Sequence, residues 1–142
     1  MLGFDFGTRR IGVAVGQTIT RTATPLCVLT AQEGAPHWPE IAKLIETWGP
    51  TGLIVGLPLH MDGAEQDLTR AARRFGNRLH GRFGLPVFWQ DERLTSAAAE
   101  WEMAEAARYG THTKHDVDSM AATLIVEAWL TENQNERTET HD

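Results

Sequence analysis

Residues 4–16 read FDFGTRRIGVAVG: two apolar runs joined by Thr8, Arg9 and Arg10, with an aspartate set into the first run. Apolar runs on either side of a short polar turn predict a β-hairpin. Asp5 is the odd residue in it. An acid flanked by Phe4 and Phe6 is costly to bury unless a metal, a cation or hydrogen bonds compensate it. Gly3 and Gly7 share its face by strand alternation, which predicts room for a ligand beside it. The letters DFG also occur in protein kinases, but there they follow a Gly-rich loop, a strand lysine and a catalytic loop. Only four residues precede Asp5, so the kinase reading fails.

Beyond the hairpin, TATPLCVLTA (residues 22–31) predicts a third strand. Residues 37–48, HWPEIAKLIETW, place Ile41, Leu44, Ile45 and Trp48 at helical spacing, and Gly49-Pro50 stops the helix. GLIVGLPL (52–59) is a buried strand, too short for a typical helix. A second helix is expected over 65–80, closed by Gly81 and Gly84, and LPVFWQDER (85–93) supplies a fifth strand ending in charges. Thr95 suits the N-cap of a helix over 96–109, and the polar loop 110–116 leads into a last helix, VDSMAATLIVEAWL (117–130). The order βββαβαβαα predicts one α/β domain over residues 1–130, a mixed five-stranded sheet flanked by helices.

Carboxylates fall at three places along the elements. Asp5 lies in the first strand, Asp91 and Glu92 end the fifth, and Asp118 starts the last helix. Chemistry in α/β sheets gathers beyond the carboxyl ends of parallel strands, so Asp5 and Glu92 can meet there, with Asp118 as a third ligand from the helix. Hard oxygen donors of this kind suit Mg2+ or Mn2+, and a pair of such ions serves phosphodiester displacement. Taken singly, Asp118 also suits a helix N-terminus, and Asp91-Glu92 a solvated strand end.

The net charge is −6, which counts against indiscriminate nucleic-acid binding. Residues 131–142, TENQNERTETHD, hold four acids and one base and predict a disordered acidic tail. Bases cluster instead. Arg70, Arg73, Arg74, Arg78 and Arg82 make a helical stripe that suits phosphate or, equally, a solvated face paired with Glu65 and Asp67. Arg9, Arg10, Arg93 and Lys114 flank the acids and are candidates for orienting phosphate. The loop with His112, Lys114 and His115 could close over a substrate. Trp38, Trp48, Trp89, Trp101, Trp129 and Cys27 read as packing residues. One cysteine, no secretion signal and no membrane-length apolar run predict a cytoplasmic chain without a membrane partner.

FDFGTRRIGVAVG, LIVGLPLHMDG, WQDERLTS and DVDSMAA, in this order and spacing, resemble the motifs of the YqgF family, also called RuvX. The resemblance covers nearly everything except the tail. It implies an RNase H-like fold and a metal-dependent nuclease, described for the family as a pre-16S ribosomal RNA nuclease and earlier as a Holliday-junction resolvase. It further implies Asp5, Glu92 and Asp118 as catalytic metal ligands, Asp91 and Asp116 as outer contributors, and a GLP segment (Gly56, Leu57, Pro58) set beside them. The expected partner is precursor ribosomal RNA, within or outside a ribosomal particle, with branched DNA as the alternative. Two rivals differ in kind. The first strand and hairpin also open actin-like ATPases, which close two such domains on ATP, whereas 142 residues supply one. A non-catalytic nucleic-acid-binding or ribosome-assembly factor is the other, and three intact acids argue against it.

Overall fold

The computed structural model describes residues 1–92 and 114–133, with side chains in the last helix from Ser119 onward. The chain starts with β1 (Leu2–Asp5), β2 (Arg10–Gln17), β3 (Thr22–Gln32) and β4 (Ala35–Pro36). Then follow α1 (Trp38–Trp48), β5 (Leu53–Leu57), α2 (Asp67–Phe83), β6 (Val87–Asp91) and α3 (Lys114–Glu132). The strands form one sheet in the order β4-β3-β2-β1-β5-β6. β1 pairs antiparallel with β2 and parallel with β5, and β5 pairs parallel with β6. The expected mixed topology is present, with six strands where five were expected.

The sixth strand, β4, is two residues long. It pairs with the end of β3 through a turn in which Glu33 (φ 51°) and Gly34 (φ 83°) are left-handed. Gly34 N–H donates to Thr8 O (2.9 Å) and Ala31 N–H to Arg9 O (2.8 Å), so this turn is tied to the β1–β2 turn. The register of β3 against β2 skips Leu26, between Val13↔Cys27 and Ala14↔Pro25. A bulge there accommodates a proline that has no N–H to give the ladder.

Two cores lie on opposite faces. Leu2, Phe4, Val13, Val55, Ile41, Phe75 and Leu79 bury one face beneath α1 and α2, with Phe75 edge-on to Phe4 at 5.6 Å and stacked on Trp38 at 6.0 Å. Ala14, Ile54, Ala122, Ile125, Val126 and Leu130 bury the other beneath α3. β5, covered on both faces, is buried throughout.

α1 starts one residue later than expected and ends at Gly49 (φ 52°), whose N–H donates to Ile45 O (2.8 Å). Its last residue, Trp48, is 45% exposed and does not belong to the core. Gly81 does not close α2. The helix runs through it to Gly84 (φ 69°), because Phe83 packs on Trp38 at 6.4 Å and anchors the final turn. α3 runs on through Thr131 and Glu132, two residues past the expected helix end. Trp89 is a packing residue, since a β-carbon on Gly76 of α2 would meet its ring. Half-buried Cys27 likewise packs against the core, and its burial and then Glu40 raise the thiol pKa, unlike an activated nucleophile. The helix expected over 96–109, Thr95, Trp101 and the loop 110–113 with His112 lie outside the described residues. No helix among the described residues is long and apolar enough to cross a membrane.

Candidate active site

β1, β5 and β6 run parallel, so their carboxyl ends converge at one edge of the domain. Phe4 faces the α1/α2 core, and alternation turns Asp5 to the α3 face. Asp5 pairs with Gly12 across the hairpin and is partly exposed. Two strands away, Glu92 N–H donates to Leu57 O (3.1 Å), which extends the β5–β6 pairing one residue past Asp91. This register brings the Glu92 carboxyl to Asp5, with which it shares a side-chain hydrogen bond.

The glutamate reaches that position across a glycine. A β-carbon on Gly56 would overlap Glu92 Oε1 and stand 2.8 Å from its Cγ and 2.6 Å from Ile125 Cδ1. Gly56 therefore makes the floor over which the Glu92 side chain lies, under cover of α3. Oε1 is sealed from solvent there. Burial, then the charge and hydrogen bond of Asp5, then the charge of Asp91, push the Glu92 pKa up to about 9. Each cause disfavours a second negative charge at the same spot. At neutral pH the pair holds a proton that a bound dication would displace.

The loop after β5 is fixed to this edge. Pro58 O accepts from Gln66 Nε2 (2.9 Å) and from the hydroxyl of fully buried Thr69, which itself accepts from Gln66 N–H (3.1 Å). Leu59 and Glu65 form a bridge, and His60 N–H donates to Ala64 O (2.9 Å). The GLP segment thus stands beside the carboxylates, as expected.

The other glycines act differently from expectation. The space at Gly3 is taken by Val126, and a β-carbon on Gly7 would lie 2.5 Å from Arg10 O. They allow helix packing and a tight hairpin, and they leave no ligand space. The signal for this was in the sequence: Gly3 and Gly16 are small residues on the face that meets α3, where Val126 fills the room of both.

Among the described residues no three His, Cys, Asp or Glu form a metal-binding group. Asp118 lies in α3, the helix that covers Glu92, but its side chain, with those of Lys114, His115 and Asp116, is outside the described residues, as is Arg93. Arg9 is exposed and lines a cleft of about 970 Å3 with Thr30, Gln32, Glu33, Pro36 and His37. Arg10 begins β2, opposite Thr30. Arg74 and Arg78 are not brought to this edge. They project from α2, on the sheet face opposite Asp5.

Comparison with known proteins agrees with this architecture. A protein of Shewanella denitrificans named "Putative pre-16S rRNA nuclease" is 54% identical over 134 residues, 94% of each chain. One of the same name from Pseudomonas paraeruginosa is 50% identical over 135 residues, 95% of this chain and 94% of its own. Among solved structures, T. thermophilus RuvC in complex with Holliday junction substrate matches with a TM-score of 0.55 at 16% identity, over 95% of this chain and 96% of that one, a likeness of RNase H-like fold. The family model described as "RuvX: Holliday junction resolvase" matches residues 1–132, and with it the four motifs, the fold and the carboxylate pair find one explanation: this chain belongs to the RuvX family.

Proposed function

We propose that this chain is a divalent-metal-dependent endonuclease that matures the 5′ end of precursor 16S ribosomal RNA, with Asp5, Glu92 and Asp118 as its catalytic carboxylates. The observation that carries the reading is the Asp5–Glu92 pair, two carboxyls forced together at the carboxyl ends of β1 and β6 with one of them pushed up to about 9. A fold needs no such repulsion for stability, whereas a dication site does. The names borne by relatives about 50% identical over nearly the whole chain support RNA as the substrate.

The donor set suits Mg2+ or Mn2+, which prefer carboxylate oxygens. Asp5 and Glu92 would hold it, with Asp118 from α3 as the third ligand. When bound, such ions supply Lewis-acid stabilisation of the charge on the attacking and departing oxygens of phosphodiester hydrolysis. To hold such an ion Glu92 would have to give up its proton. Gly56 and Ile125 hold its carboxyl in place, and the Pro58–Gln66–Thr69 hydrogen bonds keep the neighbouring loop from filling the site. Arg9, Arg10, Arg93 and Lys114 are proposed to orient the phosphate backbone around it. The protein would act in the cytoplasm, on RNA free or within a ribosomal particle.

The test offers purified protein a precursor rRNA 5′ leader and a four-way DNA junction, each with Mg2+, Mn2+ or EDTA at fixed low salt. Cutting of the RNA alone, abolished by EDTA, is the expected result. Paired symmetric cuts in the junction would replace the proposal with a resolvase. Binding of both without cutting would replace it with an assembly factor.

A further inference from the structure

Helix α2 carries five arginines and one acid in a chain of net charge −6. Its arginines differ in what they touch. Arg73 pairs with Glu65 and lies 5.5 Å from the Trp89 ring centroid, and Arg82 lies 4.2 Å from that of Trp38. Both are engaged in packing. Arg70 meets Asp67 in an exposed i,i+3 pair, a contact weak enough to yield to a stronger anion. Arg74 and Arg78 are exposed and form no ion pair among the described residues.

Position adds to charge. α2 begins after the loop that leaves β5 at the carboxylate edge and packs along the far face through Phe75 and Leu79. Arg70, Arg74 and Arg78 follow one another down the helix about 6 Å apart. The stripe therefore starts near the catalytic edge and leads away from it on the face that Asp5 does not share. Cations so arranged match the closely spaced charges of a nucleic-acid backbone, and guanidinium groups match phosphate geometry.

We infer that Arg70, Arg74 and Arg78 form a second nucleic-acid-binding surface that holds the phosphate backbone of a flank of the substrate, while the scissile segment lies at Asp5 and Glu92. The inference rests on the nuclease reading for the identity of the substrate. It adds a substrate class: RNA long enough to pass from the catalytic edge over the loop of residues 58–66 and onto α2. Short oligonucleotides reach only the catalytic edge.

Binding of the full chain is measured in EDTA by fluorescence anisotropy across a salt series. The probes are a structured RNA with a long flank and an oligonucleotide of a few residues. Arg74→Gln/Arg78→Gln should raise the Kd for the long RNA roughly tenfold and lower the slope of log Kd against log salt by about 1.5, the loss of two phosphate contacts. The short oligonucleotide should bind as to the parent chain, and Arg74→Lys/Arg78→Lys should recover most of the long-RNA affinity. An unchanged slope with the long RNA, or equal loss on both probes, would overturn the separate surface. Because binding is read without metal, a parent chain that binds RNA but never cuts it would refute the nuclease reading and leave this test intact.

Discussion

Gly56→Ala is the smallest change aimed at the geometry of the site. The added methyl would overlap Glu92 Oε1 and stand 2.8 Å from its Cγ, while on the other side Ile125 Cδ1 is 2.6 Å away. Ordinary contact at a β-carbon begins near 3.4 Å. Both neighbours must therefore give by more than half an ångström, and the glutamate, held by its side-chain torsions and its hydrogen bond to Asp5, gives more readily than α3. Overpacking of this kind costs about 1–3 kcal/mol, a fall in Tm of roughly 3–10 °C for a domain of this size. The catalytic loss is larger in proportion, because a catalytic group misplaced by about 1 Å can cost on the order of 100-fold. Displacement from its pocket also exposes the carboxyl, so its pKa should fall from about 9 towards the ordinary range. Thermal denaturation and single-turnover cleavage of the rRNA leader measure the two effects. An alanine variant with the parent Tm and rate would refute the reading that Glu92 lies across Gly56.

Three other outcomes follow from the same contacts. Glu92 keeps a proton in the folded state up to about pH 9 but loses it near 4.5 when unfolded, so its contribution to metal-free stability is full below pH 4.5 and is lost as pH rises towards 9. Glu92→Gln should therefore stabilise the metal-free chain by up to about 3 kcal/mol at pH 7 and flatten the decline in urea midpoint between pH 5 and 8; a parallel decline in both proteins would contradict this. Saturating Mg2+ or Mn2+ should raise the Tm of the parent and not of Glu92→Gln, as differential scanning fluorimetry reads directly. Thr69→Val keeps the shape but removes the hydroxyl shared by Pro58 O and Gln66 N–H, so chemical denaturation should show a loss of about 1–3 kcal/mol together with slower cleavage.

What the sequence disclosed depended on whether a signal was local. Asp5 stood out because an acid in an apolar strand breaks a pattern, and α1 was legible because its periodicity ends at a glycine-proline stop. α2 was read too short. Gly81 looked like a terminator, since glycine costs about 1 kcal/mol in a helix, but contacts with Trp38, distant in sequence, carry the helix to Gly84. β4 had no legible signal, because two residues carry no periodicity and their pairing depends on a turn with Glu33 left-handed. Strand glycines announced close approach without naming the neighbour. Gly3 was taken to leave space for a ligand and instead admits Val126, while Gly56, named only as part of the GLP segment, admits Glu92. The meeting of Asp5 and Glu92 followed from parallel strands once the topology was granted. Its electrostatic consequence required burial, which no local pattern encodes.

The most direct test of the central claim compares the parent chain with Asp5→Asn, a substitution that removes one carboxylate and keeps the shape of β1. Both are given the precursor rRNA leader in Mg2+, and the cleavage rate is followed beside the Tm of each protein. The account requires cleavage by the parent, loss of at least about a thousandfold in the variant, and, measured in EDTA, a Tm at or above that of the parent, because the variant no longer places a charge against Glu92. A cleanly purified Asp5→Asn protein that cuts the RNA at the parent rate would contradict it.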